Sequence, residues 1–202
     1  MYAVLGLLLI WGVSIVPAFS QTDYSPLPDR DYEIQSLLID RFINCSQVPV
    51  PYERCLVFVY PITDTYYLND NCLTDLKEQI AKQGKLASFI PSSSWAYFLM
   101  SIEVGRFKKY AVDNKFSSKT KQTALFNRKT NQSNRFVSLR KDHRNLAATV
   151  SISNVAYSLD KTKALCYFSN AIDEEARAGY IVFLEKRADT WFIVNKHLLW
   201  IS

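Results

Sequence analysis

Four cysteines carry the most distinctive chemistry in this sequence: Cys45, Cys55, Cys72 and Cys166. An even number of cysteines is typical of disulfide bonding in an oxidising compartment, and four of them allow three complete pairings. Cys45 and Cys55 bracket a short polar loop that contains two prolines. We therefore expect this pair to form a disulfide, which would add roughly 2–3 kcal/mol of stability. The alternative is that all four are buried thiols, and Cys166, inside an apolar run, fits that alternative well.

The sequence has only two histidines, His143 and His197, and neither is placed as a catalytic base. The neighbours of His143 are Asp142 and Arg144, and adjacent side chains do not readily form an Asp–His dyad, so a surface position is expected. The alternation of the last strand puts His197 in phase with Trp191, which predicts a histidine at the edge of the core.

No motif for a metal, a cofactor or a catalytic group is present. The chain lacks C-x-x-C and H-E-x-x-H, and it has only three glycines after residue 20, so glycine-rich phosphate loops are excluded. The acidic run Asp173-Glu174-Glu175 is interpreted as a solvated loop rather than a calcium site. We therefore predict no catalytic residue, no metal ligand and no cofactor from the sequence.

The first twenty residues have the features of an export signal. Residues 2–16 carry no charge, and Ala18 and Ser20 form the small-x-small pattern that signal peptidase requires, with Gln21 as the new N-terminus. The alternative is an uncleaved membrane anchor at 2–19, since the apolar stretch approaches the ~20 residues that span a bilayer. In both cases we expect the domain to be exported, to the periplasm or the extracellular space.

The rest of the chain is expected to fold as one domain. Removal of 20 from the 202 residues leaves 182, and the 49% hydrophobic and 14% aromatic content is sufficient for a core. Residues 21–28 form a polar linker, and residues 29–202 form the domain. Amphipathic spacing predicts helices at 29–43 and 73–83. Capping serines before a strongly apolar run predict a core helix at 92–104, and a short apolar run predicts a strand at 56–62. Asp29 or Asp31 is the expected helix cap.

Four strand-like runs occupy the last fifty residues, at 149–158, 163–169, 179–187 and 190–201. Short polar turns between the first two and the last two predict antiparallel hairpins. Within 149–158 the apolar residues change from even-numbered to odd-numbered positions, so a bulge near Ser153-Asn154 is expected to keep them on one face. Helices that precede a meander, without βαβ alternation, predict an α+β fold: N-terminal helices packed on a curved antiparallel sheet of about four strands.

A basic segment at 105–144 separates these regions. It has twelve lysines and arginines against two aspartates, a local net charge of +10 that leaves −5 for the rest of a +5 chain. Its polar composition predicts a mobile, solvated connection. An alternative, functional interpretation is that this basic segment binds an anionic surface. The candidate anion-binding residues are Lys108, Lys109, Arg140, Lys141 and Arg144. Because aromatics are sparse there, specific nucleic-acid binding is not expected.

The C-terminal third resembles known proteins through a set of strand-end residues. These are Ala164-Leu165, Gly179-Tyr180, Lys186, Trp191-Phe192-Ile193-Val194 and Trp200-Ile201-Ser202. They resemble uncharacterised exported bacterial proteins and are similar to cystatin-like or nuclear-transport-factor-like α+β domains. The resemblance covers about fifty residues and implies a curved antiparallel sheet around helices, often with a conical pocket. It implies no catalytic residue.

Three functions are compatible with these features. The first is a non-enzymatic exported module that binds a small ligand or a protein. The second is a small hydrolase or isomerase whose acid and base converge only in space, and the third is an anionic-surface binder that uses residues 105–144. The sequons at Asn44 and Asn131 would carry glycans if the source is eukaryotic.

Overall fold

A mixed β-sheet with helices on both faces forms the centre of the protein. The computed structural model describes residues 24–46, 48, 54–68, 73–75, 77–78, 93–127 and 136–202. The strands are β1 (Cys55–Val59), β2 (Lys121–Leu125), β3 (Leu146–Ile152), β4 (Ala156–Tyr157), β5 (Lys163–Ala171), β6 (Arg177–Arg187) and β7 (Thr190–Ile201). The helices are α1 (Asp29–Phe42), α2 (Ser93–Ser101) and α3 (Phe136–Asp142), with single 3₁₀ turns at Tyr66–Leu68 and Val104–Arg106. Residues 73–75 and 77–78 are also helical.

Several predicted features fall outside the described residues. They are the leader at 1–20, the first three residues of the linker (21–23), Cys72, the second half of the helix predicted at 73–83, and the sequon at Asn131. Within the described part of the chain, no helix is both long and apolar enough to cross a bilayer.

The sheet has seven strands in the order β2-β1-β3-β5-β6-β7, with β4 paired to β5. The α+β class is confirmed, but the prediction of about four antiparallel strands is only partly right. β1 is parallel to both β2 and β3, whereas β3 to β7 pair antiparallel. The sequence of β2, KQTAL, is polar and lacks apolar alternation, so periodicity does not reveal it.

The parallel part of the sheet contains the βαβ unit that the sequence analysis excludes. β2 and β3 flank β1 on either side, and α3 connects them. Phe136 and Leu139 of α3 pack on Leu56 and Phe58 of β1, so the helix crosses over the central strand. Parallel neighbours require such a crossover connection. The helix is only seven residues long, too short to show an apolar stripe.

α1 covers one face of the sheet, as its spacing predicts. Ile34, Leu38 and Ile39 are fully buried and pack against side chains of β1, β3, β5 and β6. The predicted cap is wrong: Pro28 is the N-cap residue and no side chain caps the helix. Asp31 is instead buried in the interior, where tertiary hydrogen bonds replace the local one.

α2 and α3 cover the opposite face in two separate apolar clusters. Trp95, Phe98 and Leu99 of α2 pack over β5 and β6. The cluster of α3 lies over β1. Between these two clusters, neither helix covers the sheet.

The antiparallel half of the sheet closely follows the sequence patterns. Residues 153–155 lie between β3 and β4 opposite two residues of β5, Cys166 and Tyr167, which is the extra residue expected of a bulge. The bulge returns Val155 to the α1 face that Val150 and Ile152 occupy. The β6–β7 hairpin turns through Ala188 and Asp189, both with positive φ (45° and 63°), as in a type I′ turn.

The basic segment contains regular structure where the sequence analysis expects a mobile connection. Residues 121–125 are β2, and α3 lies near the other end of the segment. Asp40 of α1 accepts hydrogen bonds from the Ser118 hydroxyl at 2.6 Å and the Thr120 hydroxyl at 3.0 Å. The buried Lys121 ammonium lies 3.6 Å from the same carboxylate and donates to the Asp40 carbonyl at 3.0 Å. These contacts fasten the segment to α1.

Cys45 and Cys55 form a disulfide that joins the residues after α1 to the start of β1. This is the pair that the sequence analysis favours. Cys166 is a free, buried thiol in β5, and burial raises its pKa far above the ordinary value. The bridge fixes the end of α1 beside the central parallel strand.

Candidate functional site

A cleft of about 370 Å³ opens between the two apolar clusters on the α2–α3 face. Its floor is the sheet, and Phe136 and Leu139 of α3 form one side. The remaining lining residues are Tyr60, Asp64, Thr149, Ser151, Tyr167, Ser169, Asn170, Ala171, Arg177 and Trp200. A volume of this size lies in the range of ~300–1,000 Å³ that is usual for small-molecule sites.

Hydroxyl groups form the floor because of strand alternation. In β3, Val150 and Ile152 face α1, so Thr149 and Ser151 face the cleft. Ser169 of β5 pairs directly with Ser151 and lies on the same face. Thr149 and Ser169 are only 6% and 7% exposed, and within the described chain their side-chain hydroxyls have no hydrogen-bond partner. The floor therefore presents hydrogen-bonding groups that the fold itself does not use.

Trp200 lies directly over Gly179 and forms another part of the lining. The two residues pair across β6 and β7, and a Cβ atom at position 179 would lie 2.2 Å from Trp200 Nε1. Only glycine permits this approach of the indole to the backbone. The indole Nε1–H donates to the Tyr167 hydroxyl at 3.2 Å, which fixes the orientation of the ring.

One acidic and one basic side chain line the cleft, Asp64 and Arg177. Asp64 follows β1, where its backbone N–H donates to Ile152 O at 2.7 Å and its Oδ1 accepts from Tyr66 N–H at 2.9 Å. Arg177 begins β6 and pairs through its backbone with Ser202. Among the residues that the structure describes, neither side chain has an ion-pair partner. Two opposite charges thus line one cleft without neutralising each other.

A second polar cluster is buried on the α1 face. Asp31 accepts hydrogen bonds from Val155 N–H at 2.9 Å and from the Tyr157 hydroxyl at 3.1 Å, and Gln35 Nε2 donates to Ser153 O at 2.8 Å. Burial raises the pKa of Asp31, which the two hydrogen bonds only partly oppose. This buried carboxylate does not line the cleft. Its contacts tie α1 to β4, a structural role.

The structure does not bring the candidate anion-binding residues together. Lys108 lies near the end of β3, where its N–H donates to Asn154 Oδ1 at 3.1 Å, and Lys109 follows it. Arg140 lies at the start of β3 and donates from Nε to Leu146 O at 3.2 Å, close to Lys141 and Arg144. The eight residues between Leu146 and Asn154 separate the two groups by roughly 25 Å along the strand. A single small anion cannot contact both groups.

Both histidines lie outside the cleft lining. His143 packs edge-on against Phe58, with ring centroids 4.9 Å apart. His197 is half-buried, and burial lowers its pKa. The expected phase of His197 is wrong: Ile193 pairs with Leu184 and Asn195 with Phe183, so the extra residue Val194 moves His197 to the face opposite Trp191. Trp191 and Trp200 lie on opposite faces of the sheet.

The acidic run at 173–175 is an exposed turn between β5 and β6. Within the described residues, no group of three acidic, histidine or cysteine side chains is arranged to hold a metal ion.

The sequence analysis names none of the cleft residues as a site. Two signals point to them in retrospect. Thr149 and Ser151 alternate with buried Val150 and Ile152, which marks a polar strand face. Gly179 is an isolated glycine within a strand, a sign of close backbone approach. Neither signal identifies a ligand, because the cleft forms only when distant segments assemble.

No protein-family model, curated protein or solved structure matches this chain. The resemblance of the C-terminal strands to cystatin-like or nuclear-transport-factor-like domains therefore stays a prediction. The parallel β2-β1-β3 part of the sheet differs from the wholly antiparallel sheet that the resemblance implies.

Proposed function

We propose that this chain is a non-enzymatic exported module that binds a small polar ligand in the cleft. The observation that carries the proposal is the hydroxyl floor. Thr149 and Ser169 are nearly buried, yet their hydroxyls form no hydrogen bond within the described chain. These hydroxyls line the cleft and stay accessible from it, so a ligand can form the hydrogen bonds that the fold does not form.

The chemistry of the lining supports binding over catalysis. A serine or threonine nucleophile needs a base that is hydrogen-bonded to it. Within the described chain, Asp64, the carboxylate that lines the cleft, forms no hydrogen bond with a serine or threonine hydroxyl of the lining. Hydroxyl, amide, aromatic and singly charged groups around one cavity are the set that orients a bound ligand. Export is supported by the disulfide, since such bonds persist in oxidising compartments.

A thermal-shift screen with small polar metabolites tests the proposal. A ligand at one hundred times its Kd stabilises the fold by about 2.7 kcal/mol, which raises Tm by about 5–10 °C in a domain of this size. The variant Ser151→Tyr places a large side chain in the cleft and should abolish the shift. Thr190→Tyr, at an exposed strand position, is the matched control and should retain it.

Two results would contradict the proposal. A ligand that still shifts Tm of Ser151→Tyr binds elsewhere on the protein. Turnover of a bound compound by the wild-type protein would establish an enzyme and favour the hydrolase or isomerase alternative.

A further inference from the structure

The unpaired charges of the cleft specify the class of ligand. Asp64 and Arg177 lie at opposite ends of the same cavity, and neither forms an ion pair within the described chain. Asp64 is partly buried and Arg177 is exposed, and the complementary charge of a ligand is attracted to each of them. A simple anion would satisfy Arg177 but be repelled by Asp64, and a neutral sugar would leave both charges uncompensated.

The strand register gives the spacing of the two charges. The backbone N–H of Asp64 donates to Ile152 O, which places Asp64 beside the end of β3. Arg177 pairs with Ala171 of β5, and Ala171 pairs with Thr149 of β3, so Arg177 lies at the same height in the sheet as Thr149. Three strand spacings across the sheet and three to four residues along it separate their backbones by roughly 18 Å. This separation explains why the two side chains do not pair with each other.

Both side chains extend into the cleft and shorten this separation. The remaining gap of roughly 7–10 Å is comparable to two extended residues, which span about 7 Å. An amino acid, whose ammonium and carboxylate are attached to one carbon, is too short to reach both ends.

We propose that the cleft binds a short zwitterionic ligand with the charge spacing of a dipeptide, its carboxylate at Arg177 and its ammonium at Asp64. The hydroxyls of Thr149, Ser151 and Ser169 lie between the two charges and bond the polar backbone of the ligand. Trp200 and Phe136 supply apolar surface for its side chains. This inference rests on the proposed function of the same cleft.

Isothermal titration calorimetry with four probes tests the charge requirement. The probes are Ala-Ala, N-acetyl-Ala-Ala, Ala-Ala-amide and alanine. We expect Ala-Ala to bind, and each of the other three to bind about tenfold more weakly, since one charge contact at 1.4 kcal/mol corresponds to that factor. Asp64→Asn should weaken Ala-Ala by about the same factor without changing the affinity for the N-acetyl probe. Arg177→Gln should likewise weaken the binding of Ala-Ala about tenfold without changing the affinity for the amide probe.

Charge controls outside the cleft are Asp189→Asn and Arg187→Gln, in and beside the exposed β6–β7 turn, and these should not change any affinity. Equal affinity for Ala-Ala and for its blocked derivatives would overturn the zwitterionic class while leaving a cleft-dependent ligand site intact. Binding of none of the probes would also overturn it. The proposed function fails separately, if every ligand found by thermal shift still binds Ser151→Tyr.

Discussion

Gly179→Ala is the substitution whose effect follows most directly from the structure. A methyl group at this position would lie 2.2 Å from Trp200 Nε1 and 2.5 Å from Trp200 Cε2. Carbon atoms pack at about 3.5–4.0 Å, so the indole must move by about 1 Å or more. That movement breaks or lengthens the bond from Nε1 to the Tyr167 hydroxyl, which is already 3.2 Å long.

Three contributions determine the size of the effect. Overpacking is unfavourable by about 1–3 kcal/mol, and a lost hydrogen bond costs about 1 kcal/mol. The replacement of glycine within a strand returns about 0.5–1 kcal/mol. We therefore expect the free energy of unfolding to fall by about 2 kcal/mol, measured as a lower urea midpoint with an unchanged m-value.

The matched control removes the indole. In a Trp200→Ala background the added methyl group has no ring to displace, so Gly179→Ala should be neutral or stabilising by about 0.5–1 kcal/mol. An equal loss of stability in both backgrounds, or an unchanged urea midpoint in the single variant, would refute the reasoning that Gly179 exists to admit Trp200.

Two further predictions concern the contacts of α1. Cys45→Ser removes the disulfide to Cys55 and should lower the free energy of unfolding by about 2–3 kcal/mol, measured by urea unfolding, while added reductant should destabilise the wild type but not the variant. Asp40→Asn should cost about 1–2 kcal/mol at pH 7. Although burial opposes it, the hydrogen bonds from Ser118 and Thr120 and the Lys121 charge hold the pKa of Asp40 below its ordinary value. The contribution is therefore present above the unfolded pKa of about 3.9 and is lost as pH falls through the folded pKa. Urea midpoints of the wild type and Asp40→Asn should converge as the pH falls below the unfolded pKa and through the folded pKa, and a constant difference would contradict this assignment.

Local patterns account for the parts of the fold that the sequence predicts. The stripe of Ile34 and Leu38 requires a helix, and the parity change between Ile152 and Val155 requires an extra residue in the strand. Both requirements arise within about ten residues, since a helix or strand must keep its apolar side chains on one face. The Cys45–Cys55 pair is local in the same sense.

The missed features depend on distant residues. The polar strand β2 is stabilised by its parallel partner β1, and its start is held by Asp40, eighty-one residues from Lys121. Aspartate is a residue type that commonly caps helices, but the position of Asp31 is determined by its hydrogen bond from the backbone N–H of Val155, 124 residues away. The phase of His197 fails for a related reason. The bulge at Val194 is visible only in the pairing of β7 with β6. The apolar pattern of β7 alone carries no information about that pairing.

The two faces of the sheet differ in a way that supports the proposed ligand site. On the α1 face, the side chains of β3 and β5 are apolar and belong to the cluster that α1 covers; they include Val150, Ile152, Ala164, Cys166 and Phe168. On the other face, the odd-numbered residues begin as Leu165 and Tyr167 under α2 but continue as Ser169, beside Ser151. If stability alone decided these positions, valine or isoleucine would suit paired strands better than serine. Polar residues that the fold does not use, on the part of the sheet between the clusters of α2 and α3, break the consistency expected of a core and support the proposal that a ligand binds there.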